Sequence, residues 1–192
     1  MKSAGRSWSS PVPPLLVLVA PRPKDVPELL DLVRGSRLLH RPWVYPPRTP
    51  PGWARYLQRN RRGEIIGHLL RRCDTEELVG VVNISEVVRG AFSSAYLGFY
   101  AHAKHARQGF MREGLRAIVA RAFTGLRLHR LEANIQPANT ASRALIKSLG
   151  FRREGFSKDY LKVGGRWRDH ERWAITKEVW REQLRKRRTA TR

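Results

Sequence analysis

A-R-Q-G-F-M, Ala106 to Met111, decides the fold, because a strand-like segment precedes it and a helical pattern follows it. The preceding S-A-Y-L-G-F-Y, Ser94 to Tyr100, is rich in residues that favour β-strands. After the stretch, apolar residues recur at three- and four-residue spacing up to Phe123, which predicts an amphipathic helix. A glycine loop between a strand and a helix presents free backbone N–H groups and the positive end of the helix dipole. The sequence therefore predicts an α/β protein that binds a pyrophosphate here.

A second informative stretch, N-T-A-S-R-A-L-I-K-S-L-G-F-R-R-E-G, extends from Asn139 to Gly155. Pro137 ends the strand before it, and Asn139 or Thr140 can cap a new helix. Gly150 is placed to end that helix. We expect a second strand-to-helix connection here.

The remaining pattern predicts a mixed α/β sheet. Asp25 is predicted to cap the first helix, and Gly164 and Gly165 form a favoured hairpin turn. The proline-rich segment 41–53 is predicted to be a stiff loop. Strands are predicted at 15–20, 65–71, 78–88, 94–101, 130–136, 155–163 and 167–176, and helices at 26–34, 54–60, 109–125 and 141–149, before a short last helix.

Length and composition indicate one domain. The chain has 192 residues, of which 41% are apolar and 9% aromatic, as in globular proteins. Residues 1–13 are polar and contain proline, so we expect disorder there. The predicted domain spans 14–180, and residues 181–192 are predicted to form a basic tail.

The sequence favours a cytoplasmic protein. Cys73 is the only cysteine, which excludes an internal disulfide and suits a reducing compartment. The apolar run after Pro14 resembles a signal-peptide core, but prolines interrupt it and no small-residue cleavage site follows. No run is long enough to span a bilayer, so no membrane partner is expected. No His or Cys spacing resembles a metal site, and His102 and His105 are expected in an exposed loop.

Charge is the unusual property of the composition. Lys and Arg total 38 against 16 Asp and Glu, a net charge of +22. Such a surface attracts polyanions and repels polycations. The basic residues are scattered and no zinc-finger or RRM signature is present, so we expect a weak association with ribosomal RNA or a merely solvated surface.

Both stretches resemble the hallmarks of GNAT acetyltransferases. Gly109 fits the first glycine of Q/R-x-x-G-x-G/A, although Ala106 replaces the usual Gln or Arg and Met111 replaces the second small residue. The second stretch resembles N-x-x-S-x-x-L-x-x-x-x-G-F-x-x-E-G. V-V-R-G-A-F (87–92), K-D-Y-L (158–161) and G-R-W-R-D-H (165–170) resemble one branch, the ribosomal-protein-alanine N-acetyltransferases.

The resemblance implies a single-domain, GNAT-like acyl-CoA N-acyltransferase fold. It also implies an enzyme that uses acetyl-CoA and no metal. The acetyl group would pass from acetyl-CoA to the N-terminal α-amine of a ribosomal protein with a small first residue, by direct attack in a ternary complex. The resemblance implies these cofactor-binding residues: Leu97, Gly98, Phe99, Arg107, Gln108, Gly109, Phe110, Met111, Arg112, Asn139 and Ser142.

The resemblance also gives candidates for proton transfer. Ser142 would donate a proton to the thiolate, because Ile146 occupies the position of the tyrosine that many relatives use. Glu132 and Asp159 are the candidates for the base, and the sequence leaves the choice open. An α-amine with a pKa near ~8 is roughly one-tenth neutral at pH 7, so it needs less help from a base than a lysine at ~10.4.

The acceptor side is predicted to contain five residues that could bind the incoming peptide. The carboxylate of Asp169 could bind the N-terminal ammonium group of the peptide. They are Trp43, Tyr96, Asn134, Tyr160 and Asp169.

Two alternatives to a protein acceptor remain open at this point. One is a GNAT enzyme that acetylates a neutral or anionic small molecule, since a net charge of +22 disfavours polyamines. The other is a ribosome- or RNA-associated protein that kept the fold without catalysis. The sequence leaves open whether the protein is a monomer or a homodimer.

Overall fold

The computed structural model describes residues 15–190. It has seven strands and six α-helices within those residues. In chain order they are β1 (Leu16–Val19), α1 (Val26–Gly35), α2 (Arg37–His40), α3 (Pro50–Arg61), β2 (Ile65–Arg72), β3 (Leu78–Val88), β4 (Ser94–Ala101), α4 (Phe110–Thr124), β5 (Arg130–Ile135), α5 (Thr140–Ser148), β6 (Arg152–Val163), β7 (Arg166–Thr176) and α6 (Lys177–Ala190).

All seven strands form one mixed sheet in the order β1-β2-β3-β4-β5-β7-β6. Only β4 and β5 pair in parallel, and every other neighbouring pair is antiparallel. The parallel pair requires a crossover, which α4 supplies. The predicted mixed α/β sheet is therefore confirmed.

Each face of the sheet packs against its own set of helices. Leu115, Ile118 and Phe123 of α4 lie in one core together with the inward side chains of β4, β5 and β7. Leu29 of α1 and Trp53 of α3 lie in a second core on the opposite face. Alternate residues of the central strands thus point to different helices, as the two-residue period of a strand requires.

The helices differ from the prediction in three places. Helix α2 lies where no element was predicted. Helix α3 begins at Pro50 rather than at residue 54, because proline is tolerated in the first turn and the Thr49 side chain accepts from the Gly52 N–H at 3.3 Å. Helix α6 continues to Ala190, so much of the predicted basic tail is helical.

Two local predictions were wrong. Asp25 precedes α1 but makes no side-chain cap there; its carboxylate instead accepts from the Arg22 N–H and binds Arg71. His105 is buried rather than exposed, because its ring packs edge-on against Phe110. The residues predicted to be disordered, 1–13, lie outside the described part of the chain.

Buried His68 on β2 makes the fold sensitive to acid. Burial, and secondarily the charge of Arg121, lower its pKa to about 4 from a usual value of 6.5. The unfolded chain therefore binds more protons below pH 6.5, and stability is lost as the pH falls from 6.5 towards 4. We expect this group to contribute about 2 kcal/mol of destabilisation at pH 5 relative to pH 7.5.

Urea unfolding at the two pH values measures this effect. In His68→Gln, the free energy of unfolding is expected to differ between pH 7.5 and pH 5 by about 2 kcal/mol less than in the wild type. The control is His129→Gln, at an exposed position, which is expected to keep the wild-type difference. An undiminished pH dependence in His68→Gln would contradict this account of His68.

Candidate active site

The centre of the sheet splits between β4 and β5. The two strands pair only over Ser94–Tyr96 and Arg130–Glu132. Beyond Tyr96, β4 continues to pair with β3, and β5 continues to pair with β7. The edge of β4 from residue 97 to 99 thus faces a cleft, and a Cβ added at Gly98 would meet no atom within 4 Å. A strand edge of this kind can hydrogen-bond an extended ligand arm.

The start of α4 is built to receive an anion. Gly109 precedes the helix with φ +85°, a left-handed conformation that glycine adopts without strain. It supplies no side-chain cap, so the first N–H groups of α4 remain available to a ligand. Arg107 adopts φ 62°, and Arg107 and Arg112 lie on either side of Gly109 in sequence. The predicted pyrophosphate loop therefore has suitable geometry, while the ligand roles of residues 107–112 stay predictions.

The start of α5 is held in place by a buried ion-pair cluster. Glu171 on β7 is 5% exposed and lies 2.8 Å from Arg143 Nε and 3.3 Å from Arg153 Nε. The Trp173 indole N–H also donates to it at 3.1 Å. Arg143 Nη1 in turn donates to the carbonyl of Pro137 at 3.1 Å. These contacts link β7 to the start of α5, which carries Asn139 and Ser142.

Asn139 and Ser142 both lie at the N-terminus of α5. Asn139 Oδ1 accepts from the Ser142 N–H at 3.1 Å, so the predicted cap is confirmed. Ser142 is partly buried, and its hydroxyl makes no hydrogen bond within the described chain. Ile146, one turn further on, is fully buried in the core and could not be replaced by a tyrosine without repacking. The structure thus leaves the Ser142 hydroxyl free for a ligand.

Tyr96 and Glu132 stand opposite each other at the point where the strands separate. Interaction with the Tyr160 hydroxyl, burial, and the nearby carboxylates Glu132 and Glu86 raise the pKa of Tyr96 to about 12. Tyr96 therefore remains a protonated hydrogen-bond donor near neutral pH. Arg130 Nε donates to Glu132 Oε1 at 2.9 Å and fixes the carboxylate on this face. The predicted Tyr96, Tyr160 and Glu132 thus form one cluster.

Asn134 and Gln136 continue this face along β5. Asn134 Oδ1 is buried and has no hydrogen-bond partner in the described chain, which makes it a candidate acceptor for a substrate N–H. Gln136 Nε2 donates to the carbonyl of Trp43 at 3.4 Å. Trp43 belongs to the crossing loop, residues 41–49. This loop joins α2 to α3 and passes the β6–β7 turn, where the Tyr45 ring lies against Gly164.

The placement of Asp159 and Asp169 offers less support for their predicted roles. Asp159 lies in an irregular part of β6, is exposed and has φ 46°. Its N–H donates to Asp169 Oδ1 at 2.9 Å. Asp169 and buried His170 are consecutive residues of β7, so their side chains point to opposite faces of the sheet. The His170 ring lies near Tyr160, and Asp169 therefore points away from Tyr160. Their catalytic and acceptor roles remain predictions.

Several residues of the site were missed by sequence reasoning. Glu86 approaches Tyr96 only because β3 is irregular after Ser85 and Glu86 adopts φ 49°. Glu171 was not singled out in the sequence, and its burial beside Arg143 identifies it as the anchor of α5. Acidic residues in a chain this basic were the available signal in both cases. In residues 15–190, no group of three His, Cys, Asp or Glu side chains could hold a metal ion, and no helix there could cross a membrane.

The open strand edge and the uncapped helix together fit a ligand with an extended amide arm and a pyrophosphate. Coenzyme A has both groups, and a Cβ added at Gly98 or Gly109 would meet no atom within 4 Å, so both positions are open. Fold and site therefore define an acyl-CoA-dependent transferase. Residues 16–152 match the model of the acetyltransferase (GNAT) domain family. The chain belongs to the GNAT family and is an acetyl-CoA-dependent N-acetyltransferase.

Known proteins resemble this chain over most of its length. It is 36% identical over 166 residues to the ribosomal protein uS5-alanine N-acetyltransferase of Escherichia coli, covering 82% of this chain and 85% of the relative. The structure of Mycobacterium smegmatis RimJ with CoA-disulfide has a TM-score of 0.77 at 30% identity, covering 85% of this chain and 82% of that one. Vibrio cholerae spermidine N-acetyltransferase with CoA and spermine has a TM-score of 0.74 at 20% identity, covering 86% and 98%, a likeness of fold alone.

Proposed function

We propose that the enzyme acetylates the N-terminal α-amine of a ribosomal protein with a small first residue, by direct attack in a ternary complex with acetyl-CoA. The observation that carries the proposal is the position of Glu132, a carboxylate held on the acceptor face beside the opening between β4 and β5. The 36% identity to the uS5-alanine N-acetyltransferase of E. coli supports the class of acceptor.

A carboxylate base suits an α-amine better than a lysine. Carboxylates are weak bases, with ordinary pKa values near ~4, while an α-amine loses its proton near pH ~8. Glu132 then accepts the ammonium proton through water, and Tyr96 and Asn134 orient the amine by hydrogen bonds. A lysine ε-amine, near ~10.4, would demand a stronger base than this face offers.

The cofactor side divides into three tasks. Backbone groups of residues 97–99 align the arm and the thioester in the cleft, and the loop from Arg107 to Arg112 binds the pyrophosphate. Acetyl-CoA supplies the activated acetyl group. The Asn139 amide donates to the arm, and the Ser142 hydroxyl gives a proton to the departing sulfur. Asp159 remains the second candidate for the base.

The role of Ser142 is tested by its replacement with alanine. Ser142→Ala is expected to lower kcat about 100-fold with little change in the affinity for acetyl-CoA, because a positioned acid contributes roughly 10²-fold or more. Helix α5 keeps its cap, since Asn139 binds the backbone of residue 142. The matched control is Ser148→Ala on the same helix, whose hydroxyl binds only the Leu145 carbonyl. Equal kcat values for the two variants would contradict the role of Ser142.

A strongly basic enzyme and a basic ribosomal protein repel each other in solution. Ribosomal RNA would bring them together, since it attracts both. The proposal therefore includes a weak RNA association and a cytoplasmic location. The same net charge of +22 disfavours a polyamine acceptor.

The acceptor is identified by incubating the enzyme and acetyl-CoA with ribosomal proteins, both free and in assembled ribosomes. Mass spectrometry of the digested proteins locates each acetyl group. We expect one acetyl group on the α-amine of one ribosomal protein, and none with the Gly109→Glu enzyme. Acetylation confined to lysine side chains would overturn the proposal.

A further inference from the structure

A concave cavity of about 250 Å³ lies on the face of the molecule that carries α1 and α2. Its walls come from α1, α2 and the crossing loop. We call it the arginine pocket because four guanidinium groups line it, those of Arg34, Arg37, Arg41 and Arg48. No aspartate or glutamate lines it.

The positive charge of the arginine pocket is poorly compensated. Arg34 lies 3.5 Å from Asp31, but both side chains are exposed. The Arg41 guanidinium lies 5.4 Å from the centre of the Tyr45 ring, a contact that leaves its charge intact. Within residues 15–190, no carboxylate lies within ion-pair distance of Arg37 or Arg48. A concave site of this charge attracts an anion.

The apolar part of the pocket lining indicates which kind of anion fits. Leu30, Val33 and Val44 line the pocket together with the arginines and contribute apolar surface. An aspartate or glutamate side chain in a peptide can place its methylene groups on such a surface and its carboxylate on a guanidinium fork. A nucleic-acid backbone gains less from an apolar surface, since phosphates and riboses are polar. The composition of the pocket therefore favours an acidic peptide segment.

The pocket shares its wall with the acceptor side of the active site. The crossing loop lines the pocket through Val44 and Tyr45, while its Trp43 carbonyl accepts from Gln136 on β5. His40, which also lines the pocket, has its Nε2 2.8 Å from the Ala101 carbonyl oxygen at the end of β4. A polypeptide whose N-terminus reaches the cleft can thus continue over the crossing loop into the pocket.

We propose that the arginine pocket binds an acidic side chain of the acceptor polypeptide, a few residues after the acetylated N-terminus. The proposal rests on the proposed N-terminal activity and gives it a sequence preference. It also explains how an enzyme of net charge +22 engages a polypeptide directly, because the pocket selects a locally acidic segment.

Peptides with an alanine first residue and an otherwise neutral sequence test the proposal. A Glu-Glu pair is moved stepwise along the peptide, and each peptide has a Gln-Gln counterpart. For the best position we expect kcat/KM to be roughly tenfold to hundredfold higher with Glu, as for other charge-assisted contacts, and to fall with added salt. In Arg37→Gln/Arg48→Gln the Glu-to-Gln ratio is expected to approach one.

The matched control is Arg181→Gln on α6, which packs on the opposite face of the sheet and is expected to retain the preference. A wild-type enzyme that does not distinguish Glu from Gln peptides would overturn the proposal. So would a preference that survives in Arg37→Gln/Arg48→Gln.

Equilibrium binding separates this proposal from the proposed function. N-terminally acetylated, fluorescent versions of the Glu and Gln peptides cannot react, but they report the pocket directly. Tighter binding of the Glu peptide that is lost in the double variant supports the pocket even if no peptide is turned over. Equal binding of both peptides overturns it. Binding of an oligouridine that is lost in the double variant, without any preference for the Glu peptide, would assign the pocket to RNA instead.

Discussion

Gly109→Glu is expected to raise the Kd for acetyl-CoA at least 100-fold. The residue precedes α4 with φ +85°, and a Cβ there would meet no atom within 4 Å. The loss therefore comes from charge rather than from a clash: two like charges roughly 5 Å apart repel by about 3 kcal/mol at an effective dielectric constant of 20. Isothermal titration calorimetry with acetyl-CoA measures the change.

The matched control is Gly109→Gln, which has the same size and the same positive φ without the charge. Both variants are expected to lose about 1 kcal/mol of folding stability from the left-handed backbone. Only the Glu variant is expected to lose binding to this extent. Unchanged affinity in Gly109→Glu would contradict the placement of the pyrophosphate at this loop.

Glu132→Gln is expected to lower kcat about 100-fold, because the variant keeps the shape of the side chain but loses the proton acceptor. Its contact with Arg130 can persist through the amide oxygen, so acetyl-CoA affinity should change little. Steady-state kinetics with an alanine-first peptide measures the effect.

The control for this experiment is Glu154→Gln. Glu154 binds the same Arg130 side chain but lies on β6, away from the strand opening. It is expected to retain most of the activity. If Glu132→Gln retains wild-type kcat, the base lies elsewhere, and Asp159 becomes the next candidate.

The sequence predicted those parts of the fold in which local patterns and tertiary structure agree. The glycine loop before α4, the Asn139 cap and the strands β3 and β4 all follow from short-range residue preferences. Helix α3 was predicted to start late because Pro50 and Pro51 look like breakers, although proline is tolerated in a first helical turn.

The site could be predicted only where one residue type has one obvious use. Gly109 is such a case, because the glycine loop predicted before a helix is present there, while its ligand remains a prediction. The partners of Glu171 and the approach of Glu86 to Tyr96 depend on strand register and on an irregularity in β3, which short-range patterns do not encode. The arginine pocket could not be predicted either, because it depends on tertiary structure. The chain has 38 Lys and Arg residues, and the sequence does not show which four of them line one cavity.

The most direct test of the central claim is acetyl-CoA turnover, followed as thiol release, with two peptides that differ only in the N-terminus and at one internal position. One peptide has a free alanine N-terminus and no lysine; the other has a blocked N-terminus and one internal lysine. The account predicts turnover of the first peptide alone. Turnover of the second peptide, or of neither while acetyl-CoA still binds, would contradict the assignment of this enzyme as an N-terminal α-amine acetyltransferase.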